Sequence, residues 1–168
     1  HTWTPLAPQA RVAVELDAPA LRWAGNAYLD TNRGTRPLAH DFERWDWSRA
    51  HLTDQRAAVL YDARRRDGSE LSLALLFDGA APVKTFTPPP QQDLPATGWQ
   101  LQRGTRAAGA GVARVVQGME DGPFYARALI QTELLGQSAT AVHESLDMRR
   151  WVRPVVQAML PFRMPRRG

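Results

Sequence analysis

Leu21-Arg22-Trp23-Ala24-Gly25-Asn26-Ala27-Tyr28-Leu29-Asp30 is the stretch on which the reading of this chain turns. Leu21 and Trp23 lie two apart, as on one face of a strand. Gly25 and Asn26 interrupt the alternation, which predicts a β-bulge that re-aims the side chains beyond it. Tyr28 and Asp30 then share a face of the resumed strand. A strand end with a polar tip facing water accounts for this pair. So does a carboxyl group held in an aromatic pocket, where it keeps its proton and acts as an acid.

Short alternating runs surround this stretch. His1 and Trp3 share a face before Pro5 and Pro8, which are expected to end that strand. Residues 11–17 alternate Val12, Val14 and Leu16 with Arg11, Glu15 and Asp17, and 17–19 read as a turn. Further strands are expected over 42–52, 57–63 and 70–78, with a hairpin turn at Asp67-Gly68. More follow over 83–86, 99–106, 113–119, 124–135 and 139–144. The prolines at 88–90 and 95 predict an extended surface connection, and 107–111 a loop of small residues. Ser145 reads as a helix N-cap ahead of a helix over about 145–160, kinked at Pro154. Met148, Trp151, Val152, Val155 and Met159 recur at helical spacing and are expected to pack into the core, closing one end of a barrel.

The 168 residues suit one domain, with strands over about 1–143 and the terminal helix after them. Many short antiparallel strands and one helix predict a mainly β fold, an antiparallel barrel or strongly curved sandwich. A barrel of about eight strands has an interior just able to hold one small or elongated apolar ligand. The net charge of +4 rests on arginine, because Lys84 is the only lysine. The basic residues are scattered, so nucleic-acid recognition is not expected. The run from 163 to 167 suits a frayed tail or contact with anionic lipid headgroups. There is no cysteine, which excludes disulfides and thiolate metal sites. No stretch is long and apolar enough to span a bilayer as a helix. His143-Glu144 lacks companions at ligand spacing, so no metal is expected and His143 reads as a polar anchor. Asp46, between Trp45 and Trp47, points away from both and is expected to pair with an arginine or support the site, as is Asp62. The start at His1, without a methionine, reads as a piece of a longer protein.

Several of these runs together resemble the carotenoid 1,2-hydratases, also called hydroxyneurosporene synthases. The matching segments are Ala10-Arg11-Val12-Ala13-Val14-Glu15-Leu16, Leu21-Arg22-Trp23, Tyr28-Leu29-Asp30 and Arg44-Trp45-Asp46-Trp47-Ser48-Arg49. Pro123-Phe124-Tyr125-Ala126-Arg127, His143-Glu144-Ser145-Leu146-Asp147 and Met159-Leu160-Pro161-Phe162-Arg163-Met164-Pro165 extend the resemblance over essentially the whole chain. It implies a lipocalin-like, calycin-type barrel, the C-terminal half of a two-barrel protein, with the N-terminal half as its partner. It implies cofactor-independent addition of water to the terminal double bond of acyclic carotenoids such as neurosporene or lycopene. It places the enzyme peripherally on the cytoplasmic side of a bacterial photosynthetic membrane, in contact with lipid. The catalytic set it implies is His1, Trp3, Tyr28 and Asp30; Trp23, Trp45, Trp47 and Tyr61 are the substrate-binding candidates.

The chemistry suits those residue types. Hydrating an unactivated alkene begins with a proton delivered to carbon, for which Asp30 is the candidate acid. The resulting tertiary carbocation is stabilised by aromatic faces, about 0.5–2 kcal/mol per contact, without a nucleophile that would trap it. Trp3 and Tyr28 offer such faces. Water then adds, and His1 or the Asp30 carboxylate takes its proton. Two other classes fit the same pattern: a lipocalin-like carrier of an apolar ligand, and a terpenoid or polyketide isomerase or cyclase that excludes water from the cation.

Overall fold

The computed structural model describes residues 1–109 and 112–162. Residues 110–111 of the predicted small-residue loop, and the basic run from 163 with the end of the closing motif, lie outside the described residues. The strands in chain order are β1 (Thr2–Asp17), β2 (Ala20–Arg33), β3 (Phe42–His51), β4 (Ala57–Arg65), β5 (Glu70–Phe77), β6 (Lys84–Thr85), β7 (Gln91–Leu94), β8 (Arg103–Arg106), β9 (Arg114–Asp121), β10 (Tyr125–Leu134) and β11 (Gln137–Asp147). Two short helices follow, α1 (Met148–Trp151) and α2 (Pro154–Met159).

Mainly β structure with helix at the C-terminal end is as expected, but the barrel is not closed. Seven strands form one antiparallel sheet in the order β6-β5-β4-β3-β11-β10-β9, so β6 and β9 are left as edges. β6 is only two residues long, too short to carry pairing onward. β1 and β2 form a separate ribbon, as do β7 and β8. The strand β7 was hidden in the sequence by its flanking prolines. Trp99 to Gln102 are not strand, and only 103–106 of the expected 99–106 run pair.

Each face of the large sheet is buried by one ribbon. Ala50, Leu60, Leu76, Ile130 and Ala141 lie on one face and pack with Leu94 of β7 and Phe86. The side chains alternating with them, Trp45, Trp47, Val59, Tyr61, Leu75 and Phe77, lie on the other and pack against Trp3 and Tyr28 of the β1–β2 ribbon. The β10–β11 hairpin turns through Leu135 and Gly136, both at positive φ (53° and 73°), as a two-residue turn matched to strand twist requires.

The ribbon departs from expectation in two ways. Pro5 and Pro8 do not end a strand; β1 runs through both for 16 residues. Nor does β2 bulge at Gly25-Asn26, whose partners Val12 and Arg11 are in regular register. The irregularities are in β1, between Pro5 and Ala7 and between Ala7 and Ala10. A proline cannot donate to the ladder, so the extra residues collect where the prolines stand.

The C-terminal end also differs. Asp147, not Ser145, caps α1, accepting from Arg149 N at 2.9 Å and Arg150 N at 3.3 Å. Pro154 does not kink one helix; it starts a second, where a missing N–H is harmless. Met148 and Val156 are buried, but Val152 and Val155 of the expected core stripe face solvent. α1 lies against β3 at the end of the sheet and α2 against α1, and each leaves part of its surface to solvent.

Ser145 and His143 are instead interior residues of β11. Ser145 Oγ donates to Asp46 Oδ1 at 2.5 Å and lies 3.1 Å from His143 Nε2, while Gly104 N donates to Asp46 at 3.3 Å. Asp46 does point away from Trp45 and Trp47, yet it makes no arginine ion pair among the described residues; its neighbour Asp62 does, with Arg106 at 2.8 Å. Burial, only partly offset by the Ser145 and Gly104 bonds, raises Asp46 from 3.8 to about 6. The folded protein therefore holds this proton more tightly than the unfolded chain, and stability falls as pH rises between those two values. Asp46→Asn removes that dependence. Its stability relative to the wild type should rise by about 3 kcal/mol from below pH 4 to above pH 6, read by denaturant unfolding at both ends; a pH-independent difference would contradict the ionisation described.

Candidate active site

The site forms on the sheet face covered by the β1–β2 ribbon. On β3, Trp45, Trp47, Arg49 and His51 alternate outward toward the ribbon, and Tyr61 stands opposite Trp47 on β4. The ribbon supplies Trp3 and Asp30 from adjoining register positions, Trp3 opposite Asn32 and Pro5 opposite Asp30.

These side chains meet around one carboxylate oxygen. Trp3 Nε1 donates to Asp30 Oδ2 at 2.6 Å, and Tyr28 Oη donates to the same atom at 3.0 Å. Asp30 is half-buried. Trp3 stands edge-on to Tyr61, with centroids 5.7 Å apart, and Tyr28 is tilted against Trp47 at 5.2 Å. Burial, then the charge of Asp30, pushes the Tyr28 hydroxyl well above its ordinary value, so it stays a donor. The same causes push Tyr61 up to about 12. The indole N–H of Trp47 is buried and has no acceptor among the described residues.

Arg49 underlies the cluster. Its guanidinium lies 5.1 Å from the Tyr28 ring centroid, a cation–π contact. It donates through Nε to Pro8 O at 2.9 Å and through Nη2 to Ala27 O at 3.2 Å, one carbonyl on each strand of the ribbon. Nη2 also lies 2.7 Å from His51 Nε2, and burial followed by the Arg49 charge lowers His51, favouring a neutral acceptor ring. The β1 irregularity leaves the Pro8 carbonyl outside regular pairing and free to accept.

Of the sequence candidates, Trp3, Tyr28 and Asp30 are in direct contact, with Tyr61 and Trp47 against them. His1 sits at the edge, where Nε2 donates to Asp41 Oδ2 at 2.7 Å and not to Asp30. Its ring packs over Gly34, where a Cβ would collide with it. Trp45 joins this edge through Phe42, with centroids 6.0 Å apart, and Phe42 in turn packs on His1 at 5.4 Å. Trp23 is elsewhere. It pairs with Val14 in the outer half of the ribbon, 47% exposed, roughly 23 Å along the strand from Asp30 at the usual rise per residue. Arg49 and His51 were missed as site residues. Their signal was the continued alternation Trp45, Trp47, Arg49, His51. Among the described residues no group of His, Cys, Asp or Glu is placed to hold a metal ion, and no helix is long and apolar enough to cross a membrane.

The chain is similar to proteins named acyclic carotenoid 1,2-hydratase from Thiocapsa roseopersicina, Rubrivivax gelatinosus and Cereibacter sphaeroides, at 53%, 46% and 42% identity over 100%, 100% and 99% of its length. It spans 42%, 41% and 59% of those relatives' own lengths. Among solved structures it is similar to one described as an AttH from Nitrosomonas europaea, with a TM-score of 0.53 and 20% identity, over 83% of this chain and 49% of that one. That likeness is one of fold alone and supports a lipocalin-like sheet. The family model for carotenoid hydratase CrtC matches residues 1–168, and the chain belongs to that family.

Proposed function

We propose that the protein containing this chain hydrates the terminal carbon–carbon double bond of acyclic carotenoids, as a hydro-lyase without a cofactor, and that Asp30 supplies the proton. The carrying observation is the single Asp30 oxygen that accepts from both Trp3 and Tyr28 inside a set of rings.

Two donors on Oδ2 orient the carboxyl and leave Oδ1 to carry the transferable proton. As that proton passes to the CH carbon of the terminal alkene, the π pair forms the new C–H bond and the neighbouring carbon becomes a tertiary cation. Negative charge gathers on Asp30, where the Trp3 and Tyr28 donors already point, so no reorganisation is needed at that moment. The faces of Trp3, Tyr28, Tyr61 and Trp47 stabilise the cation without capturing it. Water adds its oxygen lone pair to the cation, and the Asp30 carboxylate takes the released proton, which restores the acid. His1, oriented by Asp41, is the alternative base at the rim. Tyr28 donates throughout, because its environment holds its proton on. A carrier of apolar ligands has no use for a carboxyl ringed by donors and aromatics, and this favours the enzyme over the binding module.

Incubating the full-length protein with neurosporene or lycopene should give a product heavier by one water. Unchanged mass with altered retention would instead indicate an isomerase or cyclase, and unchanged substrate a carrier. Asp30→Asn, which keeps the shape and the Trp3 and Tyr28 contacts, should lower hydration at least about a hundredfold; near-normal turnover would remove Asp30 from the mechanism. Trp3→Phe keeps a ring and removes the N–H donor, with an expected loss of about tenfold in kcat and little change in KM. Equal kcat in that variant would show the donor to be dispensable.

A further inference from the structure

The stripe expected to be core faces outward instead. Val152 is 49% exposed, Val155 64% and Phe162 74%, while Val156 on the opposite side is buried. Val155, Met159 and Phe162 recur at spacings of four and three, along one side of α2 and the turn after it, and Val152 stands just before them at the C-terminal end of α1. Trp99, also exposed, is tied to the helix before it: Arg150 of α1 donates to Trp99 O at 2.8 Å and to Gln100 O at 2.6 Å.

Positive charge surrounds the apolar side chains. Arg44, Arg149, Arg150 and Arg153 line a cavity of about 340 Å³ at the same end of the sheet, together with Asp46 and Asp147. Arg149 is held by Asp147 at 2.8 Å, and Arg150 is committed to backbone carbonyls. Arg44 and Arg153 are exposed and form no ion pair among the described residues. Four cations against two carboxylates leave the cavity positive, before any proton uptake by Asp46.

We propose that this end of the molecule docks on an anionic lipid surface. Phosphate headgroups sit among Arg44 and Arg153, and Val152, Val155 and Phe162 enter the acyl boundary beneath them. Apolar side chains flanked by arginine, with a tryptophan at the margin, match the polarity gradient of a membrane interface. The net positive cavity supplies the charge complementarity that selects phosphate-rich lipid. Trp45 ties this surface to the site: it lines the cavity and belongs to the aromatic cluster that packs with Trp3 and Tyr28. A substrate dissolved in lipid thus meets an apolar side chain shared by the docking end and the reaction face. This last point rests on the carotenoid reading above; the docking itself does not.

The test uses the full-length protein and vesicles of phosphatidylcholine alone or with phosphatidylglycerol added. Co-sedimentation is expected with the anionic vesicles and is expected to be lost with the neutral ones and in high salt. The double variant Val155→Asp with Phe162→Asp should weaken binding at least about tenfold. Arg44→Glu with Arg153→Glu, at exposed positions that leave folding intact, should abolish the preference for phosphatidylglycerol. Both variants should hydrate detergent-dispersed carotenoid at the wild-type rate and vesicle-embedded carotenoid more slowly. Asp30→Asn should bind vesicles normally, so failure of the hydratase reading and failure of docking are separable. No vesicle binding, or equal binding by the variants, would overturn the proposal.

Discussion

One buried guanidinium sets the position of everything on the reaction face. Arg49, 6% exposed, projects from β3 into the ribbon and bonds a carbonyl from each of its strands. Burial pulls its pKa below the ordinary arginine value, and a charged group so desolvated requires partners on every side. Pro8, Ala27, His51 and the Tyr28 ring are those partners. Because the bonds run to backbone, they fix the ribbon's place on the sheet whatever side chains it carries. Trp3, Tyr28 and Asp30 meet Trp47 and Tyr61 only in that placement.

The two faces of the large sheet divide the work. One closes over small and aliphatic side chains and over buried Ser145 and His143 bonded to the half-buried Asp46. The other collects rings, one arginine and one carboxyl. The period-two alternation of β3 serves both. Asp46 and Ser48 look inward, while Trp45, Trp47 and Arg49 look toward the ribbon. A shift of one residue in register would exchange the two sets and destroy both faces.

Alternation made most of this legible in the sequence. The large-sheet strands, the pairing of Tyr28 with Asp30 and the turn of Asp46 away from Trp45 and Trp47 all follow from period two. The bulge was read onto Gly25 because glycine permits one, whereas Pro5 and Pro8 compel one through their missing N–H groups. β7 was lost among prolines that flank it without entering it. The C-terminal stripe had the right spacing, but spacing defines a face without saying what lies against it, and the helices are too short to reach across the open sheet. Arg49 was passed over because an arginine in an alternating strand ordinarily marks the solvent side. The contact that overrides this depends on the Pro8 carbonyl, 41 residues earlier in the chain. Barrel closure was likewise beyond local pattern, since it depends on whether β6 and β9 reach one another.

The central claim is that the reaction begins with a proton passed from an exchangeable carboxyl to carbon. Hydration by the full-length protein in deuterium oxide tests it most directly. The account predicts one non-exchangeable deuterium on the carbon adjacent to the one that bears the new hydroxyl, with that hydroxyl's oxygen drawn from labelled water. Product carrying no deuterium at that carbon would contradict proton-first addition, and with it the role given to Asp30.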